Sequence, residues 1–197
     1  MAKTSTKPIN SWQNFHKTGT WPAKLLLETQ LENRQIMPDP LERYCDVAQE
    51  IQRLLQESLD TGEGFRALGS KWSLSNIAHH EERMHINQKM NLKIPITARD
   101  LHPDSGYDQR NLFLLECGNV IKEISEYLFD LGKSLKTTGA SNGQTIAGAV
   151  STGVHGSAID VGSVQDCVVG LNLITGPNPE DIVYLERSSK PALKDEF

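Results

Sequence analysis

Apolar residues recur at helical spacing through one part of this chain and in short extended runs through others, and each change of pattern marks an element. From Leu41 the positions Leu41, Tyr44, Cys45, Ala48, Ile51, Leu54, Leu55 and Leu59 predict an amphipathic helix with one face on a core. Asp39-Pro40 supplies its cap and first-turn proline, Glu42 resembles the partner in a capping box, and Gly62 supplies the stop. Phe65 to Leu68 is short enough for a buried strand. It breaks at Gly69-Ser70 into a loop carrying Lys71, Trp72 and Ser73, the outline of an anion cradle. Extended pieces follow around Met84 to Ile86 and Asn91 to Ile94, and LFLLEC from Leu112 to Cys117 is a stronger strand that ends at Gly118. Asn119 is placed to cap a helix bearing Ile121, Ile124, Leu128 and Leu131 on one side, with Gly132 as terminator. Val164 to Thr175 reads as a long strand interrupted at Gly170, and the turn GPNPED leads into Ile182 to Leu185, a hairpin partner.

Two regions lack a period. Residues 1–37 read as an arm of uncertain order whose Trp12 and Trp21 are the parts placed to dock, and residues 97–111, polar and containing Pro103 and Gly106, read as a connector between two lobes. A third stretch is distinct in composition. GASNGQTIAGAVSTGVHGSA, residues 139–158, holds five glycines among small hydroxyl residues and one histidine, with no charge until Asp160. Such a segment lets the backbone turn sharply and approach a cofactor closely, and it equally suits a tightly packed helix and turn. Composition alone leaves both readings open.

Charge and cysteine content narrow the class. A formal charge of −5, from 25 acidic and 20 basic residues, argues against a nucleic-acid surface and a polybasic membrane anchor. Cys45, Cys117 and Cys167 are far apart without CxxC spacing, so they read as buried small apolar residues and not as a disulfide framework or zinc site. The N-terminal residues hold no signal core and no run approaches the ~18 apolar residues of a membrane span, so the expected compartment is soluble and reducing, such as the cytoplasm. Gly132-Lys133-Ser134 imitates the end of a nucleotide P-loop, but Tyr127 stands where the loop needs glycine. His79, His80, Glu81, Glu82 and His85 lack HExxH spacing and read as a solvated loop. GxSxG is absent, so a hydrolase is not supported.

FRALGSKWSLS at 65–75, LLECGNVIKEISEYLFDLGKSL at 114–135 and GASNGQTIAGAVSTGVHGSA at 139–158 occur in an order that resembles the FAD-binding domain of the vanillyl-alcohol oxidase / p-cresol methylhydroxylase (PCMH) family. That family of flavin oxidases includes aldonolactone and alditol oxidases. The resemblance spans about residues 38 to 187, and TIAGAVSTGVHG is its most specific part. It implies that backbone N–H groups of Ala67, Leu68, Gly69, Ser70 and Lys71 wrap the FAD pyrophosphate, with Trp72 and Ser73 beside them. Backbone donors suit a dianion without basic side chains. It further implies that Ser141, Thr145 and Gly148 lie near the phosphates, and that Thr152, Gly153, Val154, His155 and Gly156 lie toward the flavin. There His155 would donate to a flavin or ribose oxygen, its alternative being a histidine satisfied by backbone groups in a turn.

Two departures from the family pattern set further expectations. Relatives with G-x-x-H-S at the first motif attach the flavin through that histidine, but Trp72 stands there, so FAD is expected to bind non-covalently and Trp72 either walls the flavin edge or packs in a core. The family's domain continues beyond the point where this chain ends, at Phe197, and a separate cap domain holds the substrate pocket. The chain is therefore expected to be the FAD-binding portion of an oxidoreductase acting on an alcohol, sugar or lactone-type substrate, with the cap domain missing and no catalytic residue of its own. A flavin-binding module, or a cofactor-free interaction scaffold, is the alternative. The expected architecture is α+β and two-lobed, with a small helix-flanked sheet over about 38–96, a second, mostly antiparallel sheet over about 108–187, and a C-terminal tail at 188–197.

Overall fold

The computed structural model describes residues 1–31, 33 and 35–194. Its first residues are strands and not a loose arm: β1 (Lys3–Pro8), β2 (Ser11–Gln13), β3 (Thr20–Pro22) and β4 (Leu25–Gln30). No period announced them because β2 and β3 have only three residues each, and β1, KTSTKP, is an almost wholly exposed edge strand with no apolar face to repeat. Trp12 and Trp21 face each other across the β2–β3 hairpin with ring centroids 5.5 Å apart, and Trp12 is buried with Ala23, Leu68, Met84 and Ile86.

Helix α1 (Pro40–Thr61) begins and ends where its signals place it. The Asp39 carboxylate accepts from the Leu41 N–H at 2.8 Å, and Gly62 takes the left-handed conformation at φ +69°. Its buried stripe differs from the apolar one: Arg43, Val47, Ala48, Gln52 and Leu54 are covered, whereas Leu41 and Leu59 are exposed. The helix packs on polar partners as well as on a core. The Gln52 amide donates to the Asn178 carbonyl, and Glu57, with Glu63 just beyond the helix, grips the buried Arg83 at 2.9 and 2.7 Å.

β5 (Phe65–Leu68) and β6 (Arg83–Ile86) complete a four-stranded sheet of order β1-β4-β6-β5, in which β6 runs parallel to both neighbours and β1 antiparallel to β4. As an edge strand β5 leaves Arg66 and Ala67 exposed, so it is not the fully buried strand expected. The loops after β5 and β6 both leave from the carboxyl ends of parallel strands, where open sheets of this kind place ligands.

The second half is built from β7 (Lys93–Pro95) paired antiparallel with β8 (Phe113–Leu115), α2 (Ile121–Asp130), α3 (Ile146–Ser151), and the antiparallel ribbon of β9 (Gly170–Ile174) and β10 (Ile182–Glu186). Ile121, Ile124 and Leu128 of α2 meet Ala149 and Val164 in a buried cluster. Val164–Cys167 is a 3-10 turn and not the start of the expected long strand. Asn119 is fully buried and does not cap α2; its amide nitrogen donates to the Leu92 and Glu116 carbonyls at 2.8 and 2.9 Å. Part of the expected C-terminal tail, 188–197, is packed: Ala192 and Leu193 join Ile96 and Leu112 in a third cluster, and residues 195–197 of that tail lie outside the described residues. Cys45 and Cys167 are exposed and Cys117 is partly buried, all three free, so the expectation of three buried cysteines does not hold.

His85 departs from its expected loop and lies on β6, almost fully buried. Its Nε2 is 2.8 Å from the Thr29 hydroxyl, which lies 2.9 Å from that of Thr4, which in turn donates to Glu50 on α1 at 2.5 Å. Burial pushes the His85 pKa down to about 4 from 6.5, against the pull of Glu28 and Glu50. The folded state therefore resists protonation, and stability is lost as pH falls from about 6.5 toward about 4. His85→Gln is expected to flatten the pH dependence of urea unfolding across that window, by up to roughly 3 kcal/mol at about 1.36 kcal/mol per pKa unit.

Candidate functional site

The two motif-bearing loops meet. Gly69 follows β5 and lies so near Thr145, at the start of α3, that a Cβ on it would sit 2.1 Å from the Thr145 hydroxyl oxygen. Gly143 lies against the indole of Trp72, where a Cβ would come within 2.6 Å of the six-membered ring. With its oxygen facing the indole, the Gln144 amide accepts from Trp72 Nε1 at 3.3 Å and donates to the Ser141 carbonyl at 2.5 Å. Glycine is required here for space and not for a turn. The glycine-rich segment is thus both things its composition allowed: a close-approach loop over 139–145 and a compact helix over 146–151.

Backbone donors accumulate at this junction. Among the described residues, the N–H groups of Gly69, Ser70, Lys71, Trp72 and Ser73 have no acceptor, and neither do those of Ala140 through Thr145. Residues 69–73 are all partly buried, which makes unpaired donors costly. Lys71 adopts φ +61°, one of two non-glycine residues with positive φ among the described residues, as in the nest-like turns whose successive N–H groups converge on an anion. The cradle anticipated from the sequence therefore has its donors unspent.

The remaining candidates divide by position. Ala67 and Leu68 belong to β5, with Leu68 in the core and its carbonyl accepting from the Asn87 N–H at 3.0 Å, so they support the turn from below. Gly148 is on α3 and its carbonyl accepts from the Thr152 hydroxyl at 2.8 Å. Thr152, Gly153, Val154, His155 and Gly156 lie at the far end of α3, ~9 Å along its axis at about 1.5 Å per residue. Gly153 takes φ +64°, Val154 packs toward Gly139, and His155 is exposed. His155 Nδ1 is 2.9 Å from the Gly156 carbonyl, so this nitrogen carries the proton and the neutral ring offers Nε2 as an acceptor. A donating role for Nε2 requires the charged ring.

Sequence reasoning missed the β2–β3 hairpin tip, which lies on the same loop. The Asn14 amide nitrogen donates to the Ser73 and Leu74 carbonyls at 2.9 and 3.2 Å, the Phe15 N–H donates to the Lys71 carbonyl at 2.8 Å, and the Phe15 ring stacks on Trp72 at 4.3 Å. No periodicity marks such a tip, and the tryptophan pair beneath it was its only signal. A large cavity lies elsewhere. It has a volume of about 1310 Å³ between β8, α2 and β9, with Phe113, Leu115 and Leu171 among its apolar walls, and includes neither residues 67–73 nor 139–145. Glu116 on its wall is buried, accepts from the Leu92 N–H at 2.7 Å, and is pushed up to about 7 by burial. No group of three or more potential metal ligands occurs among the described residues.

A mixed four-stranded sheet, a second, antiparallel ribbon, and two facing glycine-lined loops belong to a two-lobed PCMH-type fold, the class of the FAD-linked oxidases. In solved structures the same fold is found in cholesterol oxidase from B. sterolicum, with a TM-score of 0.65 at 14% identity over 93% of this chain and 32% of that one. The chain belongs to the FAD binding domain family, which matches residues 43–180. Among its relatives, D-arabinono-1,4-lactone oxidase of Kluyveromyces lactis is 24% identical over 144 residues, covering 72% of this chain and 26% of that protein. The Candida albicans enzyme of the same name is 30% identical over 130 residues, covering 64% and 23%. The chain thus spans about a quarter of the length of these relatives. No helix among the described residues is long and apolar enough to cross a membrane.

Two substitutions test the junction through stability alone. Lys71→Gly relieves a left-handed residue and is expected to raise the unfolding free energy by about 1 kcal/mol. Gly143→Ala forces its new methyl against the Trp72 ring and is expected to lower it by about 1–3 kcal/mol in the same thermal and urea melts.

Proposed function

We propose that this chain is the FAD-holding part of a flavin-dependent oxidoreductase that acts on an alcohol, sugar or lactone-type substrate, and that it binds FAD non-covalently. The observation that carries the reading is the pair of facing loops, 69–73 and 140–145, whose backbone donors have no acceptor among the described residues. Eleven such donors, five on one loop and six on the other, suit the pyrophosphate dianion of a dinucleotide. Ser70, Lys71 and Ser141 flank that position, and Thr145 and Gly69 set its depth. Residues 152–156 would meet the flavin end, one short helix away, with Gly153 and Gly156 permitting close approach and His155 Nε2 facing a polar edge of the ring system.

Bound FAD supplies the hydride acceptance. The chain's own residues bind and orient it. The substrate-facing parts are assigned to portions of the relatives that this chain does not span. Trp72 supports non-covalent attachment: its indole is packed between Phe15 and Gly143, and a carbon-rich ring in place of an imidazole offers no nitrogen nucleophile for a flavin bond.

Gel filtration of the purified chain with FAD is expected to give a yellow protein whose flavin is released to the supernatant by acid precipitation. Gly143→Ala is expected to lose the colour, and Lys133→Ala, whose ammonium bonds Asn111 at 2.7 Å in the P-loop imitation, to keep it. Flavin that stays with the acid pellet would disprove non-covalent binding. A colourless wild-type chain would leave the cofactor-free scaffold as the better reading.

A further inference from the structure

We propose that the tip of the β2–β3 hairpin, Asn14 to Thr18, is a positioning clamp that holds the 69–74 loop in its cofactor-ready shape, with Asn14 and Phe15 as its working residues. The proposal rests on the FAD-binding reading of that loop and adds residues to it that touch no cofactor themselves.

Three kinds of contact converge. Asn14 is 3% exposed, and its side chain is fully engaged: Nδ2 donates to the Ser73 carbonyl, the Leu74 carbonyl and the Thr18 hydroxyl, while Oδ1 accepts from the Thr18 N–H at 3.0 Å. The Thr18 hydroxyl donates in turn to the Leu74 carbonyl at 2.7 Å. Carbonyls 71, 73 and 74 are therefore all drawn toward the hairpin, by Phe15 N–H, Asn14 and Thr18. Within a peptide plane the C=O of one residue and the N–H of the next point apart, so the bond that ties the Lys71 carbonyl to the hairpin turns the Trp72 N–H away from it. Trp72 N–H is one of the loop donors without an internal acceptor, and the ties at 73 and 74 fix the end of the same turn.

The ring contacts make the same point. Phe15 is 57% exposed yet stacks on Trp72 at 4.3 Å and 15°, with His16 edge-on at 5.5 Å. Trp72 in turn contacts Gly143 of the second loop. The hairpin, the first loop and the glycine-rich segment form one stack, anchored below by the buried Trp12. Local strain of the kind seen at Lys71 persists only where surrounding structure over-determines it, and the Phe15 N–H bond to the Lys71 carbonyl is one such constraint.

The test reads the loop with and without cofactor. Asn14→Ala and, because Asn14 is buried, the exposed Phe15→Ala are compared with wild type for trypsin cleavage after Lys71, followed by mass spectrometry. Cleavage after Lys133 serves as the internal reference and a thermal melt as the check on global folding. Both variants are expected to speed cleavage at Lys71 by about tenfold relative to Lys133 and to weaken FAD by about tenfold in a fluorescence titration, a loss of roughly 1.4 kcal/mol. Phe15→Tyr, which keeps the stack, is expected to restore both. Unchanged cleavage at Lys71 in Phe15→Ala overturns the clamp, as does faster cleavage with unchanged FAD affinity. If the wild-type chain itself takes up no FAD, the functional reading fails, and the Lys71 cleavage ratio alone decides whether the hairpin shapes the loop.

Discussion

The site depends on how closely two backbones can approach where Gly69 meets Thr145 and Gly143 meets Trp72. A methyl group at either glycine would occupy space that a neighbour already fills, at 2.1 and 2.6 Å. The approach has a consequence for hydrogen bonding. A loop packed this tightly against another loses water from its flank, and unpaired N–H groups there carry a cost of about 1–3 kcal/mol each when fully buried. Residues 69–73 are only partly buried, so the cost is reduced but not removed, and an anion received from solvent offsets it. The sheet below holds Gly69 in place through Leu68, which is in the core, and α2 holds the other loop, since the N–H groups of Ile121 and Lys122 donate to the Gln144 and Asn142 carbonyls at 2.9 Å.

What the sequence made legible follows from how each signal is encoded. α1, α2 and β5 carry periodic apolar residues or strong caps and stops, and their limits match the structure closely. The glycine-rich segment was legible as chemistry because composition is a local property. β1 to β4 were not legible: β1 is exposed along nearly its whole length, β2 and β3 have three residues each, and the run LLLETQ of β4 does not alternate. Asn119 and His85 show a second limit. Each was read by its local habit, as helix cap and loop residue, and each is buried on a long-range polar partner, the Leu92 carbonyl and the Thr29 hydroxyl. Asn14 belongs with them, since its partners are about sixty residues away.

The distribution of apolar surface separates the junction of 69–73 and 140–145 from the rest of the fold. The junction of 69–73 with 140–145 is held by the four-stranded sheet on one side and by α2 on the other. The large cavity is different in kind. Leu171, Leu173 and Leu185 are exposed on the β9–β10 ribbon, and the walls opposite it hold Phe113 and Leu115. Its apolar walls enclose a volume well above that of a usual small-molecule pocket, and Glu116 is shifted to about 7 by burial there. The two loops of the junction rest on different buried clusters, 69–73 on the one around Trp12 and Met84 and 140–145 on the one around Ile121 and Ala149, and the cavity shares only the second.

Backbone strain and charge meet at Lys71. A left-handed lysine costs roughly 1–2 kcal/mol relative to glycine, which fits the same turn without strain. Backbone donors alone satisfy the geometry of a pyrophosphate but bring only partial charges, and the chain as a whole carries −5. A charge-assisted bond from an ammonium contributes about 1.5–3 kcal/mol, at least the size of the strain. The balance therefore favours lysine when a dianion is bound and glycine when it is not. The empty loop carries the strain uncompensated, held by the Phe15 N–H, and the bound loop recovers it through charge. A residue that is costly in the free domain and favourable beside a dianion is what the proposed pyrophosphate site calls for at this turn.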